Sequence, residues 1–337
     1  MHIAVVGAGL SGLICARQLQ SQGHSVTVYE KGREVSGRMS TRQTEFGGFD
    51  YGAQYLTASS ADFRKQLAAW KKAGLIIDWS AGLVQLEQGA PGVPGVHKPA
   101  GRAQKRFIAV PAMSALCAHL AQGLDIRTEQ VVRRIEPLGK QWLLSVGSAS
   151  VAIDASAGPF DAVLLAVPAD QAVPLLAAAP ALAKQVAKAK LSPCWALMLS
   201  FPLPLELGYD GAWVSGSRLA WIARDNAKPE HRDGERWVAH ASADWSTRHL
   251  EDDDERVKEK LLKAFHEATG SQVQPVHASA HRWRYAQALA PLAEDCLWRP
   301  RLRIGACGDW FAAGIEGGGR VENAWLSGMA LATAVGR

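Results

Sequence analysis

The chain has 337 residues, 48% of them hydrophobic, which is enough to bury a large core in two or three domains. Its net charge of +5 is spread without a basic tract, arguing against a nucleic-acid partner, and no run of about 18 uninterrupted apolar residues suggests a membrane span. Five separated cysteines (Cys15, Cys117, Cys194, Cys296, Cys307) form no CxxC pair, which excludes a disulfide framework or zinc knuckle, and with no secretory pattern at Ile3–Val6 a cytoplasmic protein is expected.

His2 to Val6 reads as a buried strand, Leu10 to Gln22 as a helix broken at Gly23, and Ser25 to Glu30 as a second strand, a βαβ start. Ala61 to Ala73 follows as an amphipathic helix. The Gly- and Pro-rich stretch from Gly89 to Gly101 carries no periodicity and reads as an excursion. A helix over Val110 to Gln122 precedes strands at Asp125 to Thr128, Val131 to Pro137 and Trp142 to Val146, and the apolar run Phe160 to Pro168 suits a fully buried strand.

From Leu191 the texture changes to strand-like alternation near Cys194–Phe201, Ala212–Ala223, Arg236–Ala243 and Val276–Tyr285, with a polar helix at Asp252–Thr269. Trp195, Trp213, Trp221, Trp237, Trp245 and Trp283 concentrate here, as in an antiparallel sheet that shields a flat ligand. Leu302 to Ala306 returns as a buried strand, and Arg320 to Val335 as a helix.

Gly7, Gly9 and Gly12 form GxGxxG between a strand and a helix, with Leu10 and Ser11 opening that helix. The first glycine permits the tight turn, the second lets backbone N–H groups approach a pyrophosphate, and the third lets helix and strand pack closely. Glu30, at the end of the second strand, can accept hydrogen bonds from a ribose, and Lys31 follows it. The pattern predicts a dinucleotide without distinguishing FAD from NAD.

Ser36-Gly37-Arg38-Met39-Ser40-Thr41 then places a Gly-Arg step where a guanidinium can reach the pyrophosphate. This step resembles a motif of the flavin amine oxidase superfamily, and further matches come in that family's order. Phe49-Asp50-Tyr51-Gly52-Ala53-Gln54-Tyr55-Leu56-Thr57 is similar to the segment beside the isoalloxazine, involving Gln54 and Tyr55. Val131 to Ile135 resembles the strand whose backbone, near Val132, bonds the adenine, and Asp161 to Pro168 the strand with an Ala-x-Pro ending at Ala166 and Pro168. Gly305-Ala306-Cys307-Gly308-Asp309-Trp310, followed by Gly318-Gly319-Arg320-Val321-Glu322-Asn323-Ala324, looks like the closing flavin motif.

The resemblance implies an α/β fold: a Rossmann-like FAD-binding domain of the p-hydroxybenzoate hydroxylase type with a second, α+β substrate domain on an antiparallel sheet. Residues 1–75, 103–170 and 300–337 are assigned to the first, 76–102 and 171–299 to the second. It implies that Asp309 accepts a ribityl hydroxyl and that the helix after Arg320 faces the flavin pyrimidine. The flavin is expected to be non-covalent, because Gly317, Gly318 and Gly319 occupy the place of the attachment cysteine and Cys307 precedes Asp309.

Within the superfamily, Gly37 to Arg42, Asp50 to Thr57 and the glycine run Gly314 to Gly319 most resemble the renalases. That implies oxidation of 2- or 6-dihydro isomers of NAD(P), with O2 as electron acceptor and hydrogen peroxide as product; an amine or porphyrinogen/desaturase-type oxidase and a non-catalytic FAD redox sensor are the alternatives. Tyr55, Trp283 and Trp310 are candidates to hold the substrate ring. His281, Trp283 and Tyr285 would share one strand face and Arg284 could meet a phosphate. No catalytic acid/base residue is assigned, and the His277/His281 pair on a strand does not suit a metal.

Overall fold

The fold is that of a computed structural model describing residues 1–88, 96–99, 104–148, 155–231, 234–312 and 320–337. Its first sheet runs, edge to edge, through Leu297–Arg299, Ile304–Ala306, Ala162–Leu165, His2–Val6, Ser25–Tyr29 and Asp125–Arg127. All neighbours are parallel except the pair Leu297–Arg299 with Ile304–Ala306. Ile3, Ala4, Val5 and Leu164 are fully buried, as expected of strands covered on both faces.

One face is covered by the helices Leu10–Ser21 and Val321–Val335, the two ends of the chain. They meet so closely that a Cβ on Gly328 would sit 2.5 Å from the Ser11 carbonyl oxygen. A glycine there sets the distance between the helices, so the closing helix lies directly over the opening one. A separate three-stranded sheet, Val131–Leu138, Gln141–Gly147 and Ala155–Phe160, packs on the other side.

The second large sheet has seven strands in the order His277–Ala290, Lys190–Phe201, Glu235–Ala241, Leu219–Arg224, Gly211–Ser215, Leu83–Glu87 and Val96–Pro99. Its pairs are antiparallel except Gly211–Ser215 with Leu83–Glu87. The face bearing Trp195, Leu197, Leu199, Trp237 and Ala239 packs on Val257, Leu261, Ala264 and Phe265 of the helix Asp254–Thr269. Each such fully buried side chain contributes on the order of 1.5–3 kcal/mol. The helix starts at Asp253, whose carboxylate accepts the Arg256 N–H at 2.9 Å, and stops at Gly270, left-handed at φ 74°.

Several sequence expectations change. The segment Ala212–Ala223 is two strands reversed near Gly216 (φ 70°), and a bulge between Leu219 and Trp221 breaks the alternation expected of one strand. Val96–Pro99 is a strand inside the stretch read as non-periodic; the rest of 89–101 and the glycine run 314–319 lie outside the described residues. The short helices Ala169–Leu175 and Pro180–Val186 follow the Ala-x-Pro strand without having been anticipated.

Candidate active site

The opening loop is shaped by absent side chains. Gly7 has φ 105°, and a Cβ on it would lie 2.6 Å from the Ala166 carbonyl oxygen; one on Gly12 would lie 2.0 Å from the Gly7 oxygen. Gly9, by contrast, has nothing within 4 Å of its would-be Cβ and precedes Leu10–Ser21 as an N-cap without a side-chain bond. The first N–H groups of that helix therefore have no side-chain acceptor, the arrangement that receives a phosphate. Leu10 is buried, and so is the hydroxyl of Ser11, which has no hydrogen-bond partner. Glu30 accepts the Ala8 N–H at 2.8 Å and the Gly32 N–H at 2.7 Å, fixing its carboxylate beside the glycine turn, while Lys31 is exposed.

Arg38 sits in the turn Gly37–Met39 with Met39 buried beneath it. Its guanidinium donates to both carboxylate oxygens of Asp309, at 2.7 and 2.6 Å, and to the Ala286 carbonyl at 3.2 Å. Gln54 is buried; its amide N–H groups bond the Asp50 and Gly52 carbonyls, and its Oε1 has no partner. Val132 lies on the edge strand of the three-stranded sheet opposite Val146. Ala166 hangs from Val6 by a 2.8 Å backbone bond, Pro168 precedes Ala169–Leu175, and the Gly308 N–H donates to the Ser327 hydroxyl at 3.1 Å. Arg320 precedes the closing helix, also without a side-chain cap, and Val321 begins it.

The other wall is the second face of the seven-stranded sheet. Register places Gln85, Trp213, Trp221, His240, Ala196 and His281 directly opposite one another on six successive strands, so they form one row. This row faces the segment 51–55. Tyr51 stacks on Trp283 (centroids 4.9 Å, 23°) and meets His281 edge-on at 4.9 Å. The Tyr51 carbonyl accepts two donors from the sheet, Trp283 Nε1–H at 3.1 Å and His240 Nε2–H at 3.0 Å. Arg42 lies over the Tyr51 ring at 5.1 Å and 3.3 Å from His281 Nδ1.

Burial pushes His240 down to about 4, against the opposing effect of its bond to Tyr51. Burial and then Arg42 push His281 down to about 4 as well. Both rings are neutral near pH 7, and the Tyr51 bond fixes the Nε2–H tautomer of His240. Tyr55 lies against Trp79 (5.7 Å) and Trp221 (5.8 Å), with the Arg106 guanidinium 5.3 Å above it.

A buried charge cluster joins the two walls. Lys228, fully buried, donates to Asp50 at 3.0 Å and Asp225 at 2.7 Å, and His231 bonds Asp225 at 2.9 Å. Asp50 also accepts the Thr41 hydroxyl (2.6 Å) and the Met113 N–H (3.1 Å), so one carboxylate fastens the Gly-Arg turn, the 50–55 segment and the helix Met113–Ala121. Asp50, Asp225 and His231 are close enough to hold a metal, but the Lys228 ammonium is bonded to both carboxylates and supplies the cation there. This cluster has no sequence signal: Asp225–His231 is a polar turn without periodicity, and nothing in it marks a lysine as buried.

Three site expectations are corrected, and a fourth loses its argument. Trp310 is fully buried, stacked on Phe311 at 4.1 Å and bonded to the Val167 carbonyl, so it packs in the core. Glu322 is buried and spent on the Ser59 and Ser60 N–H groups and the Ser60 hydroxyl; it anchors the loop before Ala61–Lys72. Arg284 is tied to Glu251 by two bonds, at 2.5 and 3.1 Å, with Arg282 on the same carboxylate. Tyr285 falls where the five residues Trp283–Gln287 oppose the three residues Ser192–Cys194, so alternation does not assign it to the His281/Trp283 face. The basic groups that do face the rings are Arg42 and Arg106. As for the histidine pair, His277 stacks on Phe46 at 5.2 Å while His281 turns to Tyr51.

A dinucleotide-binding sheet closed by both chain ends, facing an aromatic antiparallel sheet, defines a two-walled nucleotide-cofactor oxidoreductase. Residues 92–336 match the model for flavin containing amine oxidoreductase, and 5–70 match that for an NAD(P)-binding Rossmann-like domain. The chain belongs to the flavin containing amine oxidoreductase family, and its cofactor is FAD.

Cyclohexylamine oxidase from Brevibacterium oxydans IH-35A shares the fold (TM-score 0.73, 13% identity, 99% of this chain and 98% of that one). So does a chain from Exiguobacterium sp. 255-15 provisionally classed as a protoporphyrinogen oxidase (TM-score 0.75, 13% identity, 100% and 98%). Locally, 52 residues are 50% identical to 4,4'-diapophytoene desaturase from Staphylococcus haemolyticus, covering 15% of this chain and 10% of the desaturase.

The residues present fit FAD. The uncapped helix behind Gly9 offers N–H groups to a pyrophosphate, and the buried, unpartnered Ser11 hydroxyl and Gln54 Oε1 lie in segments that would line the cofactor.

Proposed function

We propose that the protein is a renalase-like oxidase of the 2- and/or 6-dihydro isomers of NAD(P), producing NAD(P)+ and hydrogen peroxide. The observation that carries this reading is the row on the sheet wall. It carries two tryptophans and two histidines that are neutral near pH 7, contains no carboxylate among its six opposed residues, and is flanked by guanidinium groups, Arg42 beside His281 and Arg106 over Trp213. The rings favour a flat ligand, and the two guanidinium groups, with no carboxylate paired to them among the described residues, favour phosphates over a protonated amine.

In this reading the Gly7–Gly12 turn and Arg38 bind the cofactor pyrophosphate, Glu30 its ribose, the Val132 backbone its adenine and Asp309 a ribityl hydroxyl. Gln54, Tyr55, Ala166, Pro168, Gly308, Arg320 and Val321 line the flavin. When FAD is bound it supplies hydride acceptance at N5 and delivery of the electron pair to O2. The chain contributes orientation: hydride transfer requires a donor held about 3–3.5 Å from its acceptor and no acid/base pair. Trp283 and Tyr51 form a rigid plate, pinned by the two hydrogen bonds to the Tyr51 carbonyl, that fixes the backbone leading to Tyr55. Attachment is non-covalent, since residues 313–319 contain no cysteine and Cys307 is buried.

The fold shared with cyclohexylamine oxidase favours an amine as the second reading. Anaerobic stopped-flow mixing of the flavoprotein with borohydride-generated dihydro-NAD isomers, and separately with primary amines, decides between them. Rapid flavin bleaching by an isomer and none by amines is expected; bleaching by amines alone would overturn the assignment.

A further inference from the structure

The segments carrying Tyr55, Trp79 and Arg106 lie side by side through backbone bonds: Leu56 pairs with Phe107, and the Trp79 N–H donates to the Arg106 carbonyl at 3.0 Å. Across from them the substrate sheet contributes Trp221, against Tyr55, and Trp213, 5.2 Å from Trp221. The Arg106 guanidinium lies over both Tyr55 (5.3 Å) and Trp213 (5.2 Å), and no carboxylate among the described residues forms an ion pair with it; its one bond is to the Gln104 carbonyl, at 3.2 Å.

Among the described residues, three donors of this box have no partner. Trp79 Nε1 and Trp221 Nε1 are buried without an acceptor, in side chains only 4% and 7% exposed, and so is Arg106 Nε. Leaving a buried donor unmet costs stability that a bound acceptor would restore. Aromatic packing alone would be better served by phenylalanine at both indole positions, so unmet donors on three side chains that all pack against the Tyr55 ring mark a place where an acceptor belongs. Arg106, long and half-buried, covers the box and can swing aside at little cost.

We propose that Tyr55, Trp79, Trp213, Trp221 and Arg106 form a subsite for a planar heteroaromatic ring bearing a carbonyl or carboxylate oxygen. The ring stacks on Tyr55 or Trp213 in place of the guanidinium, and the oxygen takes the indole and guanidinium N–H groups. The inference deepens the dihydronicotinamide reading, for which the oxygen would be that of the ring's carboxamide.

The test is calorimetric titration of the FAD-loaded protein with nicotinate, nicotinamide and 3-methylpyridine. Affinity is expected to fall in that order, with 3-methylpyridine, which has no oxygen, weakest. Trp79→Phe and Trp221→Phe keep the ring and remove one donor each; each should weaken nicotinamide roughly three- to tenfold and leave 3-methylpyridine unchanged. Arg106→Met should weaken nicotinate roughly 10- to 100-fold, with partial recovery in Arg106→Lys.

Equal affinity for the three probes, or variants of native near-ultraviolet circular dichroism that bind nicotinate like the parent, would overturn the subsite. Stopped-flow with dihydro-NAD isomers separates the two claims. Bleaching by isomers without the probe ranking removes the subsite alone; the probe ranking without bleaching removes the substrate assignment alone.

Discussion

Arg38 and Asp309, 271 residues apart, form a bidentate ion pair with both N–H···O bonds below 2.8 Å, and its carboxylate is almost wholly buried. The pair joins the Gly-Arg turn to the closing motif and sets the spacing of two segments proposed to meet the cofactor. Removing the carboxylate frees the guanidinium to wander and deletes the acceptor proposed for the ribityl chain. Asp309→Ala is expected to weaken FAD binding roughly 10- to 100-fold, the loss of one charge-assisted contact. Fluorescence titration of the apoprotein with FAD measures it, and an unchanged dissociation constant would confine the pair to a packing role.

Lys228 is the cation on which the junction of the two walls depends. Burial disfavours its charge, but Asp225 and Asp50 outweigh burial and hold its pKa above the usual lysine value. Burial likewise opposes ionisation of Asp225, yet Lys228 and His231 bring it down to about 2. Lys228→Met leaves two buried carboxylates facing one another with only His231 near, and should cost about 3–5 kcal/mol in urea denaturation at neutral pH. The deficit should shrink as the carboxyls take up protons near pH 4. A loss that is the same at both pH values would point to a cavity instead.

How much of this was readable in advance follows from the kind of interaction. The Gly7–Gly12 turn and Glu30 were legible because backbone geometry restricts residue choice: a Cβ at Gly12 would collide with a carbonyl, whatever surrounds it. The long strands were legible through apolar periodicity, although the hairpin at Gly216 and the bulge beside Tyr285 escaped, since alternation carries no register. Lys228, His240, Trp79 and Arg106 were not legible as site residues. Each takes its meaning from partners far away in sequence, as His240 does from the Tyr51 carbonyl 189 residues earlier. Trp310 and Glu322 were misread for the converse reason: they stand inside a cofactor motif but are spent on Val167 and on Ser59–Ser60.

His240 gives the protein an acid-sensitive joint. Burial holds its folded-state pKa near 4, below the ordinary value of 6.5, so the unfolded chain binds the proton more readily. Stability from this group is fully present above about pH 6.5 and is lost as pH falls from there towards 4, up to about 3 kcal/mol. His240→Gln cannot take up that proton and should show a shallower decline between pH 6.5 and 4.5 in guanidinium titrations. An identical slope in the variant would assign the acid sensitivity elsewhere, with His281, also near 4, the next candidate.

Trp283 tests whether the aromatic plate orients the substrate through the backbone that carries Tyr55. It is stacked 4.9 Å from Tyr51 and donates to the Tyr51 carbonyl at 3.1 Å, so it fixes both a ring plane and the backbone leading to Gln54 and Tyr55. Since misplacing a donor by about 1 Å can cost on the order of 100-fold in rate, Trp283→Ala should slow flavin reduction by dihydronicotinamide isomers at least tenfold. Trp283→Phe keeps the stack and loses only the hydrogen bond, and should fall between the two. Anaerobic stopped-flow at saturating substrate reads the rate and the concentration dependence reads binding. A plate that orients changes the first, whereas a ring that merely fills space changes neither once the variant is folded and loaded with FAD.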